Sequence, residues 1–391
     1  MMNLEGWKTV TIEECCDILD SKRIPINTEE REERVGSIPY YGANGLQGYI
    51  DDYIFDEDLI LIAEDGGYFN EFATRPIAYK VSGKSWINNH AHVLKAKVGY
   101  CQSAIFYYLE HKDIQPFIVG GTRSKLNQSG LRSIALDIPE LESEQTQIAE
   151  ILSTIDRAIE QTEAIIAKQQ CIKTGLMQDL LTKGIDEDGN VRSEATHQFK
   201  DSPLGRIPAE WEVKTLNKVA SLQRGHDIRE IDLIPGNCPV IASSGIIGFH
   251  KFSTSSAPNV VVGRKGSIGN VHYIDSDFWA HDTSLFVTNF FGNHEKYVYY
   301  LFSNLKLERF GTKSGSPSLN RNDIHPLLVG IPNSTEQRKI VRVLSECDKS
   351  LTGFSEELEK NKRRKTGLMQ DLLTGNVRVT ALLNDRAKTS L

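Results

Sequence analysis

The ten residues KTGLMQDLLT occur twice, at 173–182 and at 365–374, 192 positions apart. An identity of that length does not recur by chance in 391 residues. The chain is therefore two versions of one unit, and a fixed repeat constrains the fold before any local pattern does. Gly-Asn-Val-Arg follows each copy, at 189–192 and 375–378. Upstream, Ile138-Pro139 and Glu144-Gln145 match Ile331-Pro332 and Glu336-Gln337 at nearly the same offset. Leu126-Asn127 matches Leu319-Asn320, Trp86 matches Trp279, and Pro39, Gly45 and Gly48 match Pro239, Gly245 and Gly248. Each unit is a divergent body followed by a strictly repeated segment.

The repeated segment has the spacing of a helix with a coiled-coil seam. Ile148, Leu152, Ile155, Ile159, Thr162, Ile166 and Gln169 step by four and three in turn, as do Ile340, Leu344, Cys347, Leu351, Phe354, Leu358 and Asn361. Alternate spacing of this kind places one residue per turn on a single stripe. Leu176 and Leu180 continue the first seam, Leu368 and Leu372 the second. The two stripes are expected to face each other, antiparallel. Ser143 and Ser334-Thr335 stand where N-caps belong, and Gly184 and Gly375 where C-caps belong.

The bodies read as mixed α/β. DLILIA (58–63) and NVVVG (259–263) look like buried strands. Residues 103–111 and 295–308 look like short aromatic-rich helices. The fold class is α+β: two globular mixed bodies separated by two long antiparallel coiled-coil helices, with an internal pseudo-twofold repeat. The expected divisions are a first body (1–143), a helix (144–185), a charged linker (186–208), a second body (209–334), a second helix (335–376) and a tail (377–391).

No apolar run approaches the ~20 residues of a membrane span. The polar start of the chain resembles no signal peptide, and a cytoplasmic location is expected. The six cysteines contain no CxxC pair, so neither a zinc site nor a disulfide framework is indicated. The net charge of −7 is unevenly spread: residues 1–143 carry −8, residues 204–334 carry +2 and residues 335–391 carry +4. Nucleic-acid binding needs a local positive face rather than a positive chain.

Catalytic motifs are missing. There is no GxxxxGK[ST] phosphate loop, no strand-linked GxGxxG and no Asn/Asp-Pro-Pro-aromatic loop of an amino-methyltransferase. Glu64-Asp65 resembles a carboxylate pair at a strand end, but its counterpart is Arg264-Lys265, an alternation that a metal nuclease would not tolerate. His90 and His92 have no third ligand nearby in sequence. No catalytic residue, no metal site and no cofactor of the chain itself are expected, and the chain is not expected to be an enzyme.

Two loops mix glycine, hydroxyls and cations, the groups that phosphate oxygens accept from. One carries Thr122, Arg123 and Lys125, the other Thr312 and Lys313. Each is also readable as a solvated turn. Leu126 and Leu319 are expected to anchor these loops, and Asn127 and Asn320 to satisfy local backbone. The Arg264-Lys265 turn is a second candidate DNA contact, with Lys22, Arg23, Arg75, Arg224 and Arg321 as further cations. An acidic turn such as Glu64-Asp65 is compatible with base reading, because a carboxylate accepts from the cytosine amino group.

Taken together, Pro203-Leu204-Gly205-x-Ile207-Pro208-x-x-Trp211, the two Ile-Pro…Glu-Gln segments and the two Leu-Met-Gln-Asp-Leu-Leu-Thr helix ends resemble the specificity subunits of type I restriction–modification systems. The similarity of architecture spans essentially the whole chain. It implies two target recognition domains reading one bipartite, asymmetric double-stranded DNA site. It further implies spacer helices that dock two methyltransferase subunits, with restriction/translocase subunits joining through the complex. S-adenosylmethionine, ATP and Mg²⁺ would then be used only by those partners. The alternative is a scaffold or decoy specificity protein that recruits partners without reading DNA. Both copies of the repeated decapeptide would touch the same kind of partner, with Met177, Gln178, Met369 and Gln370 off the seam and facing outward. A helix over 148–182 would span roughly 50 Å at ~1.5 Å per residue, on the order of 15 bp of duplex at ~3.4 Å each.

Overall fold

A computed structural model describes residues 4–121, 124–229, 234–311 and 317–383. The chain forms two compact units, residues 1–163 with 357–391, and residues 164–356. Both boundaries fall inside long helices, Glu142–Leu180 and Ser334–Leu373. Each unit thus contains one body, half of one helix and the complementary half of the other.

The two bodies share one strand order. In the first, an antiparallel sheet runs Cys16–Ile18, Ala91–Ala96, Leu59–Ala63, Ala78–Val81. In the second it runs Ser221–Arg224, Ser284–Asn289, Asn259–Gly263, Val271–Ile274. Every residue of Leu59–Ala63 and of Asn259–Gly263 is buried, as expected of a central strand made from continuous apolar residues. A second sheet in each body carries a hairpin, Ile38–Gly42 with Gly45–Ile50 and Cys238–Ala242 with Gly245–His250. Both hairpins have a register shift at the same place, between Tyr40 and Tyr41 and between Val240 and Ile241. Both also pair in parallel with a tryptophan strand, Tyr40 opposite Trp86 and Val240 opposite Trp279. The aromatic helices are Gln102–Glu110 and Glu295–Asn304.

The seam appears in both units, and its polarity is antiparallel in each. In the first unit Ile148 and Leu152 share a core with Leu368 and Leu372. Lys365 pairs with Asp156 at 2.9 Å and Lys362 with Glu163 at 3.2 Å. In the second unit Leu176 and Leu180 share a core with Ile340 and Leu344, and Lys173 reaches Asp348 at 2.5 Å. Seam residues are buried or half-buried, while most of their neighbours along the helix are exposed.

The N-caps differ from expectation. The first helix already includes Glu142, so Ser143 lies inside it. For the second, Asn333 Oδ1 accepts from the Glu336 amide at 2.9 Å, so Asn333 takes the role expected of Ser334 or Thr335. An Asx side chain does this job at least as well as a hydroxyl. The segment expected as a linker contains an ordered hairpin, Phe199–Ser202 with Gly205–Pro208. Among the described residues, no helix is long and apolar enough to cross a membrane.

The repeated motifs turn out to build one joint per unit. In the second unit Glu336 is buried, 4% exposed, at the helix start. Its carboxylate takes a bidentate contact from Arg192 of the Gly-Asn-Val-Arg motif. It also accepts from the Trp211 Nε1 at 3.3 Å and the Ile185 amide at 2.9 Å. In the first unit Arg378 Nε and Nη2 both reach Glu144 at 2.8 Å. The glycines before these arginines must remain glycine. A Cβ on Gly184 (φ +71°) would stand 2.1 Å from Glu336 Oε1, and one on Gly375 (φ +73°) 3.1 Å from the Trp7 ring. The adjacent glutamines close the joint. Gln145 donates to the Pro139 carbonyl and accepts from the Cys101 amide, and Gln337 does the same with Pro332 and the His294 amide. Tyr107 and Tyr300 then donate to Asp156 and Asp348, each at 2.6 Å. Burial and these carboxylate contacts push both tyrosine pKa values up.

Candidate nucleic-acid interface

The register of the central sheets aligns the two bodies residue by residue. Ala63 pairs with Ala91 and Gly263 with Ser284, so Glu64 corresponds to Arg264 and Asp65 to Lys265. Ile18 faces Leu94 and Leu222 faces Val287, so two residues further on Asp20 corresponds to Arg224. The Leu126 amide donates to the Glu64 carbonyl and the Leu319 amide to the Arg264 carbonyl, both at 2.8 Å. Lys125 therefore corresponds to Ser318 and Gln128 to Arg321. Leu126 and Leu319 are both fully buried anchors. Asn127 Oδ1 accepts from the Gly130 amide at 2.7 Å and Asn320 Oδ1 from the Asn322 amide at 3.0 Å, so both satisfy local backbone as expected.

In the first unit this place is a closed network. Arg23 donates to Glu64 at 2.8 Å and to the Ala91 carbonyl at 2.7 Å. Its side chain is only 12% exposed, so Arg23 holds the loop and is not presented to a duplex, contrary to the sequence expectation. Lys125 pairs with Glu64 at 2.9 Å. Burial raises the Glu64 pKa, but the bonds from Lys125 and Arg23 outweigh it and hold the carboxyl below its ordinary value. His92 is fully buried between Asp20 at 2.6 Å and the Leu126 carbonyl at 2.8 Å. Burial raises the Asp20 pKa too, but His92, the Val93 amide and Arg23 outweigh it and lower the value. Asp20, Glu64 and His92 offer ligand atoms within 4.8 Å of one another, a grouping invisible in sequence because its members are 28 to 72 residues apart. Both carboxylates already have cationic partners, and the cluster reads as a charge-compensated strut. Arg75 pairs with Glu71 at 3.1 Å and stacks 4.1 Å from the Tyr68 ring, and Lys22 is exposed.

In the second unit the corresponding place is an open cleft of about 760 Å³. Arg224, Arg264 and Arg321 line it, together with Gln223, His226 and Asn320. Arg224 pairs with Asp282 at 2.8 Å. Arg264 and Arg321 make only long contacts to carbonyls, 3.4 Å to Asp282 and 3.3 Å to Leu222. Neither forms an ion pair among the described residues. Burial, and then the Arg321 charge, lower the His325 pKa, so its Nε2 stays an acceptor for the Leu222 amide. Lys265 bridges to Ser318. Thr122, Arg123, Thr312 and Lys313 lie outside the described residues.

Sequence reasoning missed the hairpins beside these turns. Asn44 donates to the Gly66 carbonyl at 3.0 Å, and the Ser243 amide to Thr283 at 3.4 Å. Each hairpin tip therefore lies against the Glu64 or Arg264 side of its body. The hairpins expose Leu46 and Tyr49 in the first unit and Ile246, Ile247 and Phe249 in the second. The repeated Pro and Gly positions marked the hairpin, but only the bulge shows that Ile246 and Ile247 both face outward.

A family model described as the type I restriction modification DNA specificity domain matches residues 4–168 and again 208–361. The chain belongs to this specificity family. A Haemophilus influenzae protein, provisionally named a type I restriction enzyme specificity subunit, is 27% identical over 91% of this chain and 91% of its own length. The MjaVIII specificity subunit of Methanocaldococcus jannaschii is 23% identical over 97% of this chain and 94% of its own. The crystal structure of a type I system S subunit from M. genitalium shares the fold, with a TM-score of 0.68 over 95% of this chain and 97% of that one, at 18% identity. The family model thus matches once in each repeat unit, as the motif resemblance implied.

Proposed function

We propose that this chain is the non-catalytic DNA-specificity subunit of a type I restriction–modification complex, with each body reading one half of a bipartite, asymmetric site. One observation supports this above others. The two bodies keep one framework, down to matched hydrogen bonds, yet carry opposite charges where a ligand-reading surface would sit. Asp20, Glu64 and Asp65 of one body stand where Arg224, Arg264 and Lys265 stand in the other. Two readers of different half-sites would differ in this way. A two-stranded ribbon fits the major groove, where apolar side chains meet the thymine methyl group, and the exposed hairpins offer such ribbons. Sequencing of methylated adenines in the host, with and without this gene, is expected to show one bipartite motif lost on deletion. An unchanged methylome would overturn the reading.

The helix ends are proposed to dock two methyltransferase subunits, to which restriction/translocase subunits add. Met177 and Met369 do not face freely outward: both are half-buried against their unit's core, while Gln178 and Gln370 are exposed. An aspartate at either methionine would therefore disturb the fold. Gly175 and Gly367 are the better probes. Both lie inside a helix, and a Cβ on either would meet nothing within 4 Å. A mid-helix glycine costs ~1 kcal/mol relative to alanine, and nothing in the fold requires these two. Exposed Thr174, Gln178, Thr366 and Gln370 flank them identically. Gly175→Arg with Gly367→Arg is expected to keep the chain folded and to remove both methyltransferase copies in native mass spectrometry. Retention of two copies would place docking elsewhere.

A further inference from the structure

We propose that the cleft of the second unit binds a phosphodiester of the DNA backbone through Arg264 and Arg321, and that the matching place in the first unit binds none. The complex would then hold its two half-sites unequally, with the salt-sensitive part of the affinity on the second. This rests on the DNA-reading role proposed above and adds which unit carries the charge term and through which side chains.

The two places differ in how much of their positive charge is already paired. In the first unit the two cations at this place, Arg23 and Lys125, are both committed to Glu64. Burial of Arg23 removes it from any approaching anion. A phosphate there would have to displace Glu64 from both cations, and its own charge would be repelled by that carboxylate once freed. In the second unit Asp20, Glu64 and Asp65 are replaced by Arg224, Arg264 and Lys265, and Gln128 by Arg321. One carboxylate, Asp282, is neutralised by Arg224. Another, Asp227, lines the same cleft and is exposed. Arg264 and Arg321 still outnumber it, and Lys265 adds to the surplus. Their guanidinium groups are held only by long carbonyl contacts, so a charged oxygen would improve on their present partners. The Asn320 side chain at the rim offers an amide donor of the kind that phosphate contacts use.

Phosphate neutralisation has its own signature. Each contact releases counterions, and log K falls with log salt by about 0.9 per phosphate. The assembled complex, full chain with its methyltransferase subunits, is titrated by fluorescence anisotropy in rising KCl. The probe is a duplex carrying the motif found in the host methylome. Arg264→Gln with Arg321→Gln is expected to lower the slope by about 0.9, the share of one phosphate, and to leave the methylated motif unchanged. A comparison pair of exposed cations in the first unit, Arg75→Gln with Lys125→Gln, is expected to lower it by less than half as much, because both are already paired to carboxylates. Arg264→Lys is expected to keep the slope, since a phosphate needs the charge and not the fork. An unchanged slope in the second-unit pair, or an equal fall in the first-unit pair, overturns the inference. A Lys variant that keeps its slope but changes the methylated motif assigns Arg264 to a guanine edge and overturns it as well. Failure of the DNA-reading role itself is seen separately, as a wild-type complex that holds the motif duplex no better than a scrambled one.

Discussion

Replacing Arg192 with methionine is expected to destabilise the second unit by about 3–5 kcal/mol, the usual cost of stranding a buried charge. Glu336 is 4% exposed and the Arg192 side chain 10%, so little water reaches either. Without the guanidinium, the carboxylate keeps only the Trp211 and Ile185 donors. Calorimetry of the full chain should show one transition moving down while the other stays. The double change Arg192→Met with Glu336→Met should recover only part of the loss. It removes the stranded charge but leaves the Ile185 amide and the Trp211 Nε1 without an acceptor, at about 1–3 kcal/mol each. Full recovery would show that the carboxylate is dispensable as a hub. Arg378→Met in the first unit should cost less. Arg378 is 31% exposed, and Trp7 Nε1, the counterpart of Trp211, makes no bond to Glu144.

The joint explains why parts of this fold were legible in the sequence. The seam residues were readable because helical period is local: 4-3 spacing needs only neighbours along the chain. The strand cores at 59–63 and 259–263 were readable because burial on both faces forces a continuous apolar run. The Glu-Gln and Gly-Asn-Val-Arg identities were visible, but their cause was not. Glu336 and Arg192 are 144 residues apart, and only the tertiary fold brings them together. The same holds at the candidate interface. Cations could be counted from the sequence, but whether each was spent could not. Arg23 and Arg264 are the same kind of residue near corresponding places of two related bodies, though on different turns. One is locked to Glu64 and three carbonyls, and the other lines an open cleft. Sequence repeat located the turns, and the partners across the sheet decided their character.

Independent reading by the two bodies makes the largest functional prediction. Exchanging residues 216–327 for those of a relative is expected to change one half of the methylated motif completely and leave the other half as it was. The graft edges follow from the joint. Strands Glu212–Thr215 and Leu328–Ile331 pair with each other and stay with the host chain, as do Trp211 and Glu336. The incoming segment must carry a residue other than proline at position 294, whose backbone amide donates to Gln337, and a tyrosine to reach Asp348. What it replaces is the whole cleft, the Arg264 turn and the Ile246–Phe249 side of the hairpin. The first unit keeps its own core, its Arg23 network and its hairpin, none of which draws a residue from the exchanged segment. Adenine-methylation sequencing reads both halves in one experiment. A motif altered in both halves would mean that the bodies read the site jointly. A motif unaltered in either would move base recognition out of residues 216–327 altogether.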